Sequence, residues 1–136
     1  MKLASMIAPL ALMLTTSVFA TQEMPEKCPS VSALKTAAFD RISVLPDAGQ
    51  WLVIGAIDNK YDTETDWSFI VSVSRDNAQS TDAAYKLAKK SVESLSFVKG
   101  PEFFDGINAY GCTYTTAEPD VRIFTVTNLD IFGGKK

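Results

Sequence analysis

Histidine is absent from the 136-residue chain, and cysteine occurs only twice. Without imidazole there is no histidine general base, no histidine metal ligand and no side chain that titrates near neutrality at its ordinary pKa. Positive charge is also scarce. Lys plus Arg number 13 against 16 Asp plus Glu, a formal charge of −3, and the lysines are dispersed. No basic stripe is present of the kind that nucleic acid or an anionic membrane surface selects. Beyond residue 20 no apolar run approaches the ~20 residues of a membrane span. Internal repeats, low-complexity tracts and linkers are missing as well, so one domain accounts for the length. No motif specifies a reaction, and none asks for a cofactor or a metal.

What is present begins with the ends of the chain. Met1-Lys2 is a short positive start, residues 3–14 are apolar, and Val18-Phe19-Ala20 places small residues at the −3 and −1 positions of a cleavage site before Thr21. This is the pattern of a secretory signal peptide, and Pro9 with Thr15-Thr16-Ser17 argues against a membrane anchor. The expected organisation is a cleaved leader over 1–20 and one domain over 21–136. Loss of Lys2 with the leader moves the formal charge from −3 to −4. Both cysteines, Cys28 and Cys112, lie in the exported part, where an oxidising compartment makes one disulfide the simplest reading. A reactive thiol is disfavoured, since neither cysteine has a second cysteine at redox spacing or a histidine to activate it. The expected location is the periplasm or the extracellular medium, with no membrane insertion after cleavage.

Periodicity gives the elements. Val31, Leu34 and Ala38 recur at helical spacing behind Pro29, predicting a helix over 30–39. Ile42 and Val44 alternate as a short strand, and Pro46-Asp47-Ala48-Gly49 is turn chemistry leading into an apolar strand over 51–57. That strand is apolar on both faces, which predicts packing on each side. Trp67, Phe69, Val71 and Val73 alternate with serines, predicting a strand with one buried and one wetter face. Ser80 or Thr81 caps a helix reaching about Leu95, with Ala84, Leu87, Ala88, Val92 and Leu95 as its inner stripe. Phe97-Val98 starts a short strand that Gly100-Pro101 breaks. Residues 107–116 and 121–128 then form a hairpin, with Tyr110, Cys112 and Tyr114 on one side. The tail from Phe132 is flexible in composition. The predicted fold is α+β: an antiparallel sheet of about five strands with two helices packed mainly on one face, in the order α-β-β-β-α-β-β, with one disulfide.

Few constellations could carry chemistry. Ser32-Ala33-Leu34-Lys35 fits S-x-x-K, in which a lysine one turn on acts as base to a serine. Its companion motifs are missing and the chain is short for such an enzyme. Residues 58–66 gather Asp58, Asp62, Glu64 and Asp66, but Lys60 and Thr63 fall where an EF-hand needs a ligand and glycine. A solvated loop is the plainer reading. Trp51 and Trp67 read as packing residues of facing strands. The segment 101–106, Pro-Glu-Phe-Phe-Asp-Gly, reads as a loop. Two adjacent rings do not easily both enter one core from a short loop, so Phe103, Phe104 and Asp105 form a candidate partner-binding loop, beside core burial of both rings as the plainer reading.

The short leader, Cys28-Pro29-Ser30-Val31, and Tyr110-Gly111-Cys112-Thr113-Tyr114 together resemble a family of small exported bacterial proteins, some of them described as virulence-associated or VirK-like. The resemblance implies an exported protein in the context of an intracellular pathogen and maps no catalytic residues. Three classes of function are carried forward. The first is a non-enzymatic exported protein that binds another protein, of the host or of the envelope, including an inhibitor of a secreted enzyme. The second is a small-molecule-binding envelope accessory protein. The third is a small hydrolase using carboxylates or the Ser32-Lys35 pair.

Overall fold

The computed structural model describes residues 23–37, 39, 43–55 and 57–127. The predicted leader, Ala38, Ile42, Asn128 and the tail from Phe132 lie outside the described residues. The remaining elements run α1 (Val31–Ala37), β1 (Ser43–Asp47), β2 (Gln50–Ile54), β3 (Ser68–Ser74), α2 (Thr81–Val92), β4 (Ser96–Phe104), a 3-10 turn (Asp105–Ile107), β5 (Ala109–Thr115) and β6 (Val121–Val126).

Both helices start on a capping serine, of which the sequence singled out the second. Ser30 Oγ accepts from the Ala33 N–H at 3.1 Å, and Ser80 Oγ accepts from the Ala83 N–H at 3.1 Å, each satisfying a donor that the first turn leaves free. Asp82 in the first turn of α2 and Lys89 and Lys90 in its last complement the helix dipole. The inner stripe of α2 is Ala84, Ala88 and Val92, with Ser91 buried beside them and donating to the Leu87 carbonyl at 2.8 Å. Asp47 and Gln50 close the β1–β2 hairpin around Ala48-Gly49, with Gly49 at φ +73, a left-handed position that a side chain would strain.

The sheet is fully antiparallel and has six strands in the order β1-β2-β3-β6-β5-β4. The expected five-strand count is therefore corrected by one, and the element order gains a strand after α2. Gly100-Pro101 does not end β4. The strand pairs with β5 from Ser96↔Thr115 to Phe104↔Ala109, with register shifts on both sides of Lys99. As an edge strand it tolerates Pro101, which has no N–H to give. Residues 101–104, expected to be loop, belong to this strand, and the 3-10 turn supplies the bend into β5.

The helices cover one face. Leu34, Ala84, Ala88 and Val92 pack on Val53, Phe69, Val71, Val73, Cys112 and Ile123 in the main core. On the far face Ile54, Ile70 and Val126 form a smaller cluster with Leu52, Phe104, Ile107 and Phe124 packed around it. The expected wetter face of β3 is corrected by this arrangement: Ser68 and Ser72 are buried along with their apolar neighbours. A strand third from one edge and fourth from the other has flanking side chains on both of its faces.

Cys28 and Cys112 form the disulfide, with Cα atoms 6.0 Å apart across a separation of 84 residues. Closing such a loop stabilises a fold by about 3–4.7 kcal/mol when counted as lost freedom of the unfolded chain. A second tie runs beside it, where the buried Tyr114 hydroxyl donates to the Pro29 carbonyl at 2.6 Å. Burial pushes the Tyr114 phenol well above its ordinary value, the Asp62 carboxylate adds to this, and the Thr125 hydroxyl opposes it. That hydroxyl is itself buried without a well-aligned hydrogen bond.

Because its pKa is raised in the folded state, the phenol stays neutral at a pH where the unfolded chain would ionise. Its contribution is whole below about pH 10, the unfolded value, and is lost progressively as the pH climbs above that toward the folded value. Tyr114→Phe leaves the Pro29 carbonyl unpaired and should cost about 1–3 kcal/mol at pH 7. The same variant should lose less further stability than the wild type between pH 10 and 12. Urea titrations at both ends of that window check the pair of expectations.

Candidate functional site

Residues that could meet a partner collect on β4 and on the sheet face behind it. Phe97 and Phe103 lie directly opposite Tyr114 and Tyr110 of β5, so all four rings stand on the helix-bearing face. The rings meet edge to face, with centroids 5.6 Å apart for Phe97 and Tyr114 and 5.2 Å for Phe103 and Tyr110. Between the two pairs, Gly100 adopts φ +131 and presses on the disulfide: a Cβ there would sit 2.8 Å from Cys112 Cα and 3.1 Å from Cys28 Sγ. A bare backbone at this point lets the edge strand close over the disulfide.

β4 is also where apolar surface is exposed. Among the described residues, Phe97, Val98 and Phe103 are 48%, 49% and 47% exposed. They are half of the six large apolar side chains that face solvent to that extent, the others being Met24, Leu45 and Ile57. Lys99 and Glu102 pair at 3.5 Å within the same strand.

Phe104 points the other way. It lies opposite Ala109 on the far face, over the bare backbone of Gly111, and its ring centroid is 6.4 Å from that of Phe124. A methyl group at Gly111 would overlap the Phe104 ring. Phe104 forms one end of an open trough of about 620 Å³ along β5 and β6, with Ile107 beside it, Val98, Thr113 and Phe124 in the middle, and Thr115, Val121 and Arg122 toward the other end. The expected pairing of Phe103 and Phe104 in one loop is thus replaced by two roles. Successive residues of a strand face opposite sides, so Phe103 serves the exposed aromatic edge and Phe104 the trough. Asp105 is exposed in the 3-10 turn that follows.

The other sequence candidates are dispersed. Ser32 Oγ lies 3.5 Å from Ser30 Oγ, and no hydrogen bond joins it to the exposed Lys35 among the described residues. In the 58–66 loop, Lys60 Nζ pairs with Asp66 at 2.9 Å, and an Asp62 oxygen accepts from the Ser30 N–H at 3.3 Å. Among the described residues no three acidic or cysteine side chains gather as a metal site would require. The loop instead packs buried Tyr61 inward and docks the start of α1. Trp67 is fully buried and donates to Thr63 Oγ1 at 3.1 Å. Half-buried Trp51 donates to the Ala78 carbonyl at 2.9 Å and carries the Arg75 guanidinium 4.4 Å from its ring.

Sequence reasoning did not single out Phe97, Val98 or Arg122. The alternation Arg122-Phe124-Val126 in β6 was the available signal for the last, but it marks two faces without saying which one the helices cover. Comparison with protein-family models, with curated proteins and with solved structures finds no match for this chain.

Proposed function

We propose that this is an exported protein whose activity is the binding of another protein through the β4 edge. The observation that carries the reading is the placing of Phe97, Val98 and Phe103, each about half exposed, along one edge strand. An edge strand offers unpaired N–H and C=O groups, and aromatic side chains, Phe among them, are enriched at protein interfaces relative to the rest of the surface. The Cys28–Cys112 disulfide fits an oxidising compartment, which agrees with export. A virulence-associated role in the periplasm or outside the cell, with a host or envelope partner, and inhibition of a secreted enzyme are the particular forms of this proposal. No catalytic step is assigned to the chain.

A photo-crosslinking side chain at position 97 or 103 should capture one discrete protein from envelope or host extracts. The same probe at Ala48, in the turn at the opposite end of the sheet, should not. Equal capture at all three positions would sink the reading. Phe103→Asp should abolish capture while the chain stays folded, at a cost of about 0.5–1.5 kcal/mol for the lost edge-to-face contact with Tyr110. Phe104→Asp is the poorer test, because it puts a charge against Gly111 and Phe124 and lowers stability as well.

A second reading, a small-molecule-binding accessory protein, is favoured by the trough. Its volume of about 620 Å³ lies within the ~300–1,000 Å³ of ordinary ligand sites.

A further inference from the structure

We infer that the trough on the far face binds a monomeric amphiphile with one anionic head group and a single apolar chain, of the fatty-acid class. The inference rests on the small-molecule reading above and names its ligand class. The two ends of the trough differ in chemistry. Phe104 and Ile107 form an apolar end, and Phe124 and Val98 carry the apolar lining along the middle. Arg122 is the one charged residue among the lining side chains, and Thr113 and Thr115 add hydroxyls on the same wall.

The register fixes the direction of this gradient. Phe124 lies opposite Thr113, so Arg122, two residues earlier on β6, shares its face and lies one pleat farther from Phe104. Successive same-face residues of a strand are spaced by ~7 Å. A chain bound along β5 and β6 therefore has rings at its tail, the Thr113 hydroxyl midway, and a guanidinium with the Thr115 hydroxyl at its head. Arg122 makes no ion pair among the described residues. Asp76 and Asp120 border the adjoining hollow on its other side, and neither comes within salt-bridge distance. A planar guanidinium binds a carboxylate through two parallel hydrogen bonds, while a neutral head leaves that donor fork unused.

The trough is open along its length, and that suits one alkyl chain lying on a sheet more than a compact ring system enclosed on all sides. No carboxylate lines it, so an anionic head meets no like charge inside.

The test is calorimetric titration of the full chain with dodecanoate below its micelle-forming concentration, beside dodecanol as the uncharged control. Saturable one-to-one binding of dodecanoate is expected, with dodecanol and the Arg122→Gln variant each weaker by about tenfold or more, the factor that a charge-assisted pair contributes. Arg122 is exposed, so the variant should fold, and an unchanged melting temperature checks this. Amide shifts on binding should fall on Thr113, Thr115 and Phe124 and spare Ala84 and Ala88 of α2, on the other face of the sheet. Equal affinity for dodecanoate and dodecanol would overturn the anionic-head assignment and leave the small-molecule reading standing. No saturable binding of either would overturn both. Dodecanoate binding that Arg122→Gln leaves unchanged, or shifts confined to the helix-bearing face, would also overturn the inference.

Discussion

Replacing both cysteines, Cys28→Ala with Cys112→Ala, should lower the unfolding free energy by about 3–5 kcal/mol, the largest loss expected from any change of so few atoms here. The bond closes a loop of 84 residues, and the freedom it denies the unfolded chain grows with that length. Its removal also withdraws support from α1. A helix of seven residues is too short to persist alone in water, and it is held by Leu34 in the core, by the Tyr114–Pro29 hydrogen bond and by the disulfide. Urea titration should show the midpoint falling. Amide exchange at Leu34, whose N–H donates to the Ser30 carbonyl at 3.0 Å, should accelerate far more than exchange in β3. An exchange pattern that loosened uniformly across the sheet would show that the bond acts on the whole fold without singling out α1.

Gly100→Ala is the second large effect, about 3 kcal/mol or more. Two independent terms add. The backbone at φ +131 is one that side-chain-bearing residues rarely adopt, at a cost of order 1–3 kcal/mol. The new methyl would also lie 2.8 Å from Cys112 Cα and 2.9 Å from the Gly111 carbonyl oxygen. Both are backbone atoms that cannot swing aside, and overpacking of this kind costs about 1–3 kcal/mol more. The strand should lift from the disulfide, so the variant should combine a lower melting temperature with faster reduction by a small dithiol. A variant that melted lower but was reduced at the wild-type rate would mean that β4 accommodates the methyl without moving. At Gly106, where a Cβ meets nothing and φ is ordinary, alanine is the matched control and should change stability little.

These two sites also mark where sequence reasoning succeeds and where it stops. The disulfide was legible from two cysteines and an export signal, because one pair permits only one connectivity. The cap of α2 was legible too, as Ser80 or Thr81 before an apolar stripe at helical spacing, and it is Ser80. β4 was not. Gly100-Pro101 is a strong local breaker, and what overrides it is the pairing with β5 on either side, a non-local fact absent from the segment itself. The same gap hid the aromatic edge. Phe97 gains meaning only opposite Tyr114, and Phe103 only opposite Tyr110.

β3 failed for a related reason. Its serines alternate as a solvated face would, yet Ser68 lies opposite Val126 and Ser72 opposite both Leu52 and Arg122, so neighbours on both sides bury them. A period of two separates a strand's faces without saying what covers either.

The strand order β1-β2-β3-β6-β5-β4 has a consequence for how such a chain assembles. It divides the sheet into two meanders of consecutive hairpins, residues 43–74 and 96–126, joined in sequence by α2 and in space by the β3–β6 seam. Within each meander every pairing is local, which favours rapid formation, whereas the seam must wait for both. Cys28 precedes the first meander and Cys112 lies in the second, so the disulfide is the covalent counterpart of the seam. A chain emerging from its amino end presents Cys28 well before Cys112, so this bond can form only after β5 of the second meander has been made.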